Sequence, residues 1–141
     1  MFQKLKNLIY KSQGLEYQAP APSQQVAFMV MFDGQHIGTL ELDQGKWYFS
    51  YAHFFIQQYE RAKTASSEAS FLTPLFGFPD VYKRYESDLL WPFFAGRIPG
   101  LKQPDVKEIL EREHIDKDDL VALLTRFGKR TIANPFELNP A

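Results

Sequence analysis

Asp33-Gly34 and Asp43-Gln44-Gly45 punctuate one stretch of the chain into three runs, and this punctuation constrains the fold more than any other feature. Val26 to Phe32 is dense in β-favouring residues and stops at Asp33-Gly34, a dipeptide suited to a tight hairpin turn with positive φ. His36 to Leu42 follows. After the second turn, Lys46 to Tyr51 sets Trp47, Phe49 and Tyr51 against Lys46, Tyr48 and Ser50, the alternation of a half-buried strand. The pattern predicts a three-stranded meander.

Downstream the period changes. Polar and small residues dominate from His53 to Ser70, where Glu60 to Glu68 reads as an exposed loop or a weak helix. Phe71 to Phe78 is apolar again, and Pro74, having no amide hydrogen, belongs there on an edge strand or in extended chain. Ser87 or Asp88 is placed to cap a short helix through Leu89, Leu90, Trp91, Phe93 and Phe94, with Pro92 in its first turn and Gly96 at its end. A clearer helix runs from Pro104 to about His114, with Val106, Ile109 and Leu110 on one stripe and Glu108 and Arg112 paired at i,i+4. Asp116 is the expected cap of the last helix, which turns Leu120, Val121, Leu123, Leu124 and Phe127 inward and meets a left-handed stop at Gly128. Lys129 to Ala141 has little periodicity.

At the other end, Phe2, Leu5, Leu8 and Ile9 form a helical stripe beside Lys4, Lys6 and Lys11, a pattern of membrane-surface and docking helices and equally of ordinary packing. Gln18 to Gln25 is a Gln, Ala, Pro and Ser linker. The expected organisation is therefore an arm and linker over residues 1–25, one domain over 26–130 and a tail over 131–141. The fold class is α+β: a small antiparallel sheet with helices packed on one side and at the carboxyl end.

Several functions are disfavoured at once. A formal charge of −1 leaves no strongly basic footprint for nucleic acid, so any DNA contact is expected to be indirect. The absence of cysteine removes thiolate nucleophiles, disulfides and cysteine-based metal sites. No signal peptide and no membrane span is read, and a cytoplasmic location is expected. His36, His53 and His114 are scattered without metal-ligand spacing, and Asp116, Asp118 and Asp119 read as cap and dipole partners of a helix start. Thr64, Ser66 and Ser67 have ordinary loop context. No metal, cofactor or catalytic group is expected; the rival reading is a small enzyme pairing His36 or His53 with a carboxylate in a cleft.

Three stretches, in order, resemble the N-terminal subdomain of HipA-type protein kinases: DGQHIGTLEL followed by WYFSY, then FLTPLFGFP, then WPFFAGRIPG ahead of a helix pair and LLTRFGKR. Gly34, Gly38, Phe49 and Tyr51 match the family's Gly-containing hairpin and F-x-Y strand. Pro92, Phe93, Phe94, Pro99 and Gly100 match its P-F-F-x-x-L-L-P-E-G, although Arg97-Ile98 replaces the usual Leu-Leu and the glutamate before the glycine is missing. Lys129 to Phe136 departs from the passage that normally leads into the kinase body.

The resemblance implies a split system similar to the bacterial three-gene HipBST toxin–antitoxin modules. This chain would be the HipS-like antitoxin, which binds and inhibits a HipT-like serine/threonine kinase, within a larger complex that includes a HipB-like helix-turn-helix DNA-binding protein. The phosphate-cradling loop, lysine, aspartate and metal-holding residues of a kinase are expected on the other chain. A surface that a kinase body would cover becomes an intermolecular interface, so Trp91, Pro92, Phe93, Phe94, Arg97, Pro99 and Gly100 are the candidate kinase-binding residues. Trp and Phe suit that role because they bury much area at small entropic cost; the ordinary role of periodic aromatics is core packing. The alternative within the binding class is a non-inhibitory structural subunit of the kinase complex.

Overall fold

Both glycine turns form two-residue hairpin connections, between β1 (Gln25–Phe32) and β2 (Gln35–Asp43) and between β2 and β3 (Lys46–Tyr51). In this computed structural model, which describes residues 25–64, 73–132 and 134–141, both central residues of each turn have positive φ: 49° and 77° at Asp33 and Gly34, 49° and 79° at Gln44 and Gly45. That backbone twist matches the twist of the strands it joins. The meander is flanked by β4 (Tyr85–Ser87) and β5 (Glu137–Pro140), giving a five-stranded antiparallel sheet in the order β4-β3-β2-β1-β5. The expected arm and linker at residues 1–25 lie outside the described residues except for Gln25, as do Ser66 and Ser67.

Alternation decides which face is buried. Phe28, Val30, Leu40, Leu42, Trp47, Phe49 and Tyr51 enter the core, while Met29, Thr39, Glu41, Tyr48 and Ser50 keep partial exposure on the other face. The core is completed by Phe55 of α1 (His53–Thr64), Phe94 and Ala95 of α2 (Pro92–Ala95), Val106 and Leu110 of α3 (Pro104–Arg112), and Leu123 and Leu124 of α4 (Leu120–Phe127). The fold is α+β. Gly38 lies under the Phe49 ring, where a Cβ would come within 2.7 Å of ring carbon, so the close approach of β2 and Phe49 depends on its missing side chain. Next to it the β1–β2 register slips between Val30 and Met31, and the extra residue, Ile37, is buried and accepts the Ala52 amide at 2.8 Å where α1 begins.

Several local expectations are corrected. Residues 53–64 form a full helix, because Phe55 stacks on Tyr51 at 4.9 Å and tertiary packing supports a segment of weak intrinsic signal. Of the two readings for Pro74, the edge strand does not form, and the residue lies in chain outside any strand. α2 begins only at Pro92, with Trp91 as N-cap; the Ser87 hydroxyl instead accepts the Leu89 amide in a local turn. The cap of α4 is Asp119, whose Oδ1 accepts the Ala122 amide at 3.1 Å, and Asp116 serves the preceding turn by accepting from Asp118. Gly128 is right-handed, φ −78°; a Cβ there would approach the Leu124 carbonyl oxygen to 2.5 Å. Arg112 lies 3.9 Å from Glu113 instead of pairing with Glu108, and Glu113 also accepts Arg126 Nε at 2.8 and 3.1 Å, a hydrogen bond that holds its carboxyl below the usual carboxylate range.

Candidate partner-binding surface

The WPFFAGRIPG segment divides by burial. Trp91 has the extended backbone of an N-cap, φ −65° and ψ 150°, and Pro92 takes the first helical position, where its missing amide hydrogen is harmless. The single turn that follows sends Phe94 and Ala95 fully into the core, with Phe94 5.6 Å from Phe49 and 5.9 Å from Phe78 between ring centroids. Trp91 is half-buried, its ring edge-on to Phe78 at 5.1 Å. Pro92 is exposed, and Phe93, Pro99 and Gly100 are half-buried.

Arg97 points inward. It is 5% exposed, and four of its N–H···O contacts converge on one stretch of chain: Nε donates to the Gly128 carbonyl, Nη1 to Asn134 Oδ1 at 3.0 Å, and Nη2 to the Lys129 and Phe136 carbonyls at 3.1 and 2.6 Å. Gly128 and Lys129 follow directly on α4, whose last carbonyls lack intrahelical donors and carry the negative end of the helix dipole, so the guanidinium caps that helix from a distant part of the chain. Burial pulls the Arg97 pKa below its ordinary value, and Glu137 pulls it back up. Of the candidate residues, Trp91, Pro92, Phe93, Pro99 and Gly100 thus keep surface exposure, whereas Phe94 and Arg97 are buried.

Phe93 opens onto an apolar groove of about 490 Å³ lined by Phe32, residues 73–76, Pro135 and Phe136. Phe136 lies 5.4 Å from Phe32 and 6.1 Å from Phe93, and the Phe76 ring stands 88% exposed at its edge. Two ties to the protein interior set its walls. Tyr51 Oη accepts the Leu75 amide at 2.9 Å and donates to the Phe78 carbonyl at 2.5 Å, fixing the 75–78 turn; burial raises the Tyr51 pKa. Arg97 fixes the opposite segment through Asn134 and Phe136. Motif and composition single out Phe93 and the apolar run around Pro74, which contains Phe76, whereas Phe32 and Phe136 come from separate parts of the chain and share no spacing that would group them with it.

The neighbouring sheet edge is closed to an added strand. In β5 the Leu138 amide donates to the Lys129 carbonyl at 3.0 Å, Pro140 has no amide hydrogen, and the register turns Glu137 and Asn139 toward β1. Elsewhere, His36 pairs with Thr39 at 2.9 Å and His53 with Gln57 at 3.0 Å. Among the described residues no cluster of His, Asp and Glu is arranged to hold a metal ion, and no helix is long and apolar enough to cross a membrane.

No curated protein matches the chain. The family model of the HipA N-terminal domain matches residues 28–133, from within β1 through the four helices of the described residues, leaving residues 134–141 with β5 beyond the matched span on the carboxyl side. With Gly34 in the hairpin turn, Gly38 under the Phe49 ring and Phe94 of the Pro-Phe-Phe segment in the core, the chain, matched by the family model over most of its length, belongs to the HipA N-terminal domain family, which sets it in a toxin–antitoxin context.

Proposed function

We propose that this domain is a non-enzymatic, cytoplasmic antitoxin that binds a HipT-like serine/threonine kinase and inhibits it. The carrying observation is the exposed aromatic groove at Phe93, with Phe76 and Phe136, on a domain whose family belongs to toxin–antitoxin systems. An uncovered cluster of rings favours association with another chain, since Trp and Phe dominate interface energetics when a partner excludes water from them. Trp91 and Pro92 extend the same face. A HipB-like DNA-binding protein would join the complex, leaving DNA contact indirect.

Inhibition follows if the Trp91 to Gly100 face docks near the kinase active site, obstructing nucleotide or substrate or holding the lobes in an unproductive arrangement. The test is phosphorylation by the kinase of the same module, titrated with the domain. Stoichiometric loss of phosphorylation is expected, and Phe76→Ala, which removes an exposed ring without opening the core, is expected to weaken binding about tenfold or more. Tight binding with phosphorylation unchanged would reject inhibition in favour of a structural subunit. Binding that survives Phe76→Ala and Phe93→Ala together would remove the groove from the interface.

A further inference from the structure

One buried cation sets the carboxyl-terminal wall of the groove. Arg97 reaches three carbonyls and one side-chain amide, all between Gly128 and Phe136, and no carboxylate shares that hydrogen-bond set. We propose that Arg97 is the positioning residue of the aromatic groove: by clasping residues 128–136 it holds Pro135 and Phe136 against Phe32 and Phe93, a role that rests, for its functional half, on the binding reading above. Pro135 and Phe136 lie beyond the span matched by the family model, so the clasp makes this chain's own carboxyl-terminal segment a working half of the surface.

The chemistry requires arginine. A buried guanidinium presents its N–H groups in a rigid planar fork, and here that fork meets acceptors diverging from one loop; a lysine ammonium is a point charge that cannot reach all four at once. The charge meets the carbonyls at the end of α4, and the Glu137 carboxylate, outside the hydrogen-bond set, also favours it. Asn134 completes the arrangement, its Oδ1 accepting both Arg97 Nη1 and the Phe136 amide at 3.1 Å, so the residue that forms the wall is tied through backbone and neighbour alike. Lys129 then passes the restraint to β5 through the Leu138 amide.

The test compares Arg97→Lys and Arg97→Leu in the full chain by three measurements: amide exchange, ring-to-ring nuclear Overhauser effects, and affinity for the kinase. In both variants the Leu138 amide is expected to exchange about tenfold faster or more, while amides of the β2–β3 ladder stay protected. The Overhauser effects from Phe136 to Phe32 and Phe93 should weaken, and kinase affinity should fall about tenfold. Unchanged Leu138 protection and unchanged ring proximity in both variants would overturn the clasp. Restoration of both by lysine would overturn the requirement for the fork. Separation of the rings at unchanged affinity would overturn the positioning role, and if Phe76→Ala also leaves affinity unchanged, the binding reading is what has failed. Should Arg97→Leu not fold, Asn134→Ala carries the same comparison, with faster Phe136 amide exchange expected and unchanged exchange counting against the clasp.

Discussion

Tyr51 and Arg97 each connect the core to one wall of the groove, and each does so through hydrogen bonds that burial makes costly to break. Tyr51→Phe removes one hydroxyl and leaves the Leu75 amide and Phe78 carbonyl without it; equilibrium denaturation should show a loss of about 1–3 kcal/mol. The same hydroxyl sets an alkaline limit. Because burial raises the Tyr51 pKa in the folded state, its ordinary value of 10.0 is reached first in the unfolded chain. Its contribution is whole below that value and is lost as pH rises toward the folded value, so denaturant midpoints measured from pH 8 upward should fall above about pH 10, and less steeply in Tyr51→Phe. The phenylalanines separate by burial: Phe94→Ala should cost about 3–5 kcal/mol as a core cavity, whereas Phe76→Ala, with its ring in solvent, should leave the melting temperature nearly unchanged.

α4 is held at both ends by side chains that lie outside its own turns. Asp119 satisfies an amide at its start, and Arg97 satisfies carbonyls at its finish. Asp119→Ala should therefore lower stability by about 1 kcal/mol, while Asp116→Ala, which disturbs only the Asp118 turn, should cost clearly less; thermal or urea unfolding of the two variants checks the assignment. β5 shows why an element can escape detection. Glu137 to Pro140 has no alternation long enough to read as a strand and ends in proline, yet it pairs with β1 because Leu138 enters the core and Pro140 needs no hydrogen bond on the outer edge. α1 is the parallel case among helices, weak in sequence and secured by Phe55 against Tyr51.

The molecule as a whole joins a family scaffold to a surface that the chain completes with residues beyond the family span. The proposed inhibition of a kinase belongs to this scale, since it would depend on an entire face: the domain should suppress phosphorylation at a one-to-one ratio, and unchanged phosphorylation at saturating domain would set that function aside. What could be read directly from the chain is what local chemistry decides. Asp33-Gly34 and Gln44-Gly45 each supply a glycine that takes positive φ without steric cost at a two-residue turn, alternation places Trp47, Phe49 and Tyr51 on one face, and proline fits the first position of a helix. The Pro-Phe-Phe segment was legible as a motif for the same reason. Its division into inside and outside was not: Arg97 reads as a surface charge until Gly128 to Phe136, more than thirty residues away in sequence, arrive to satisfy it. Short-range sterics and periodicity determined the three meander strands, their turns and most of the described helices from sequence alone, whereas the groove, the burial of Arg97 and the two flanking strands β4 and β5 were decided only by tertiary structure, because each depends on groups that sequence keeps far apart and only packing brings within hydrogen-bonding or van der Waals reach.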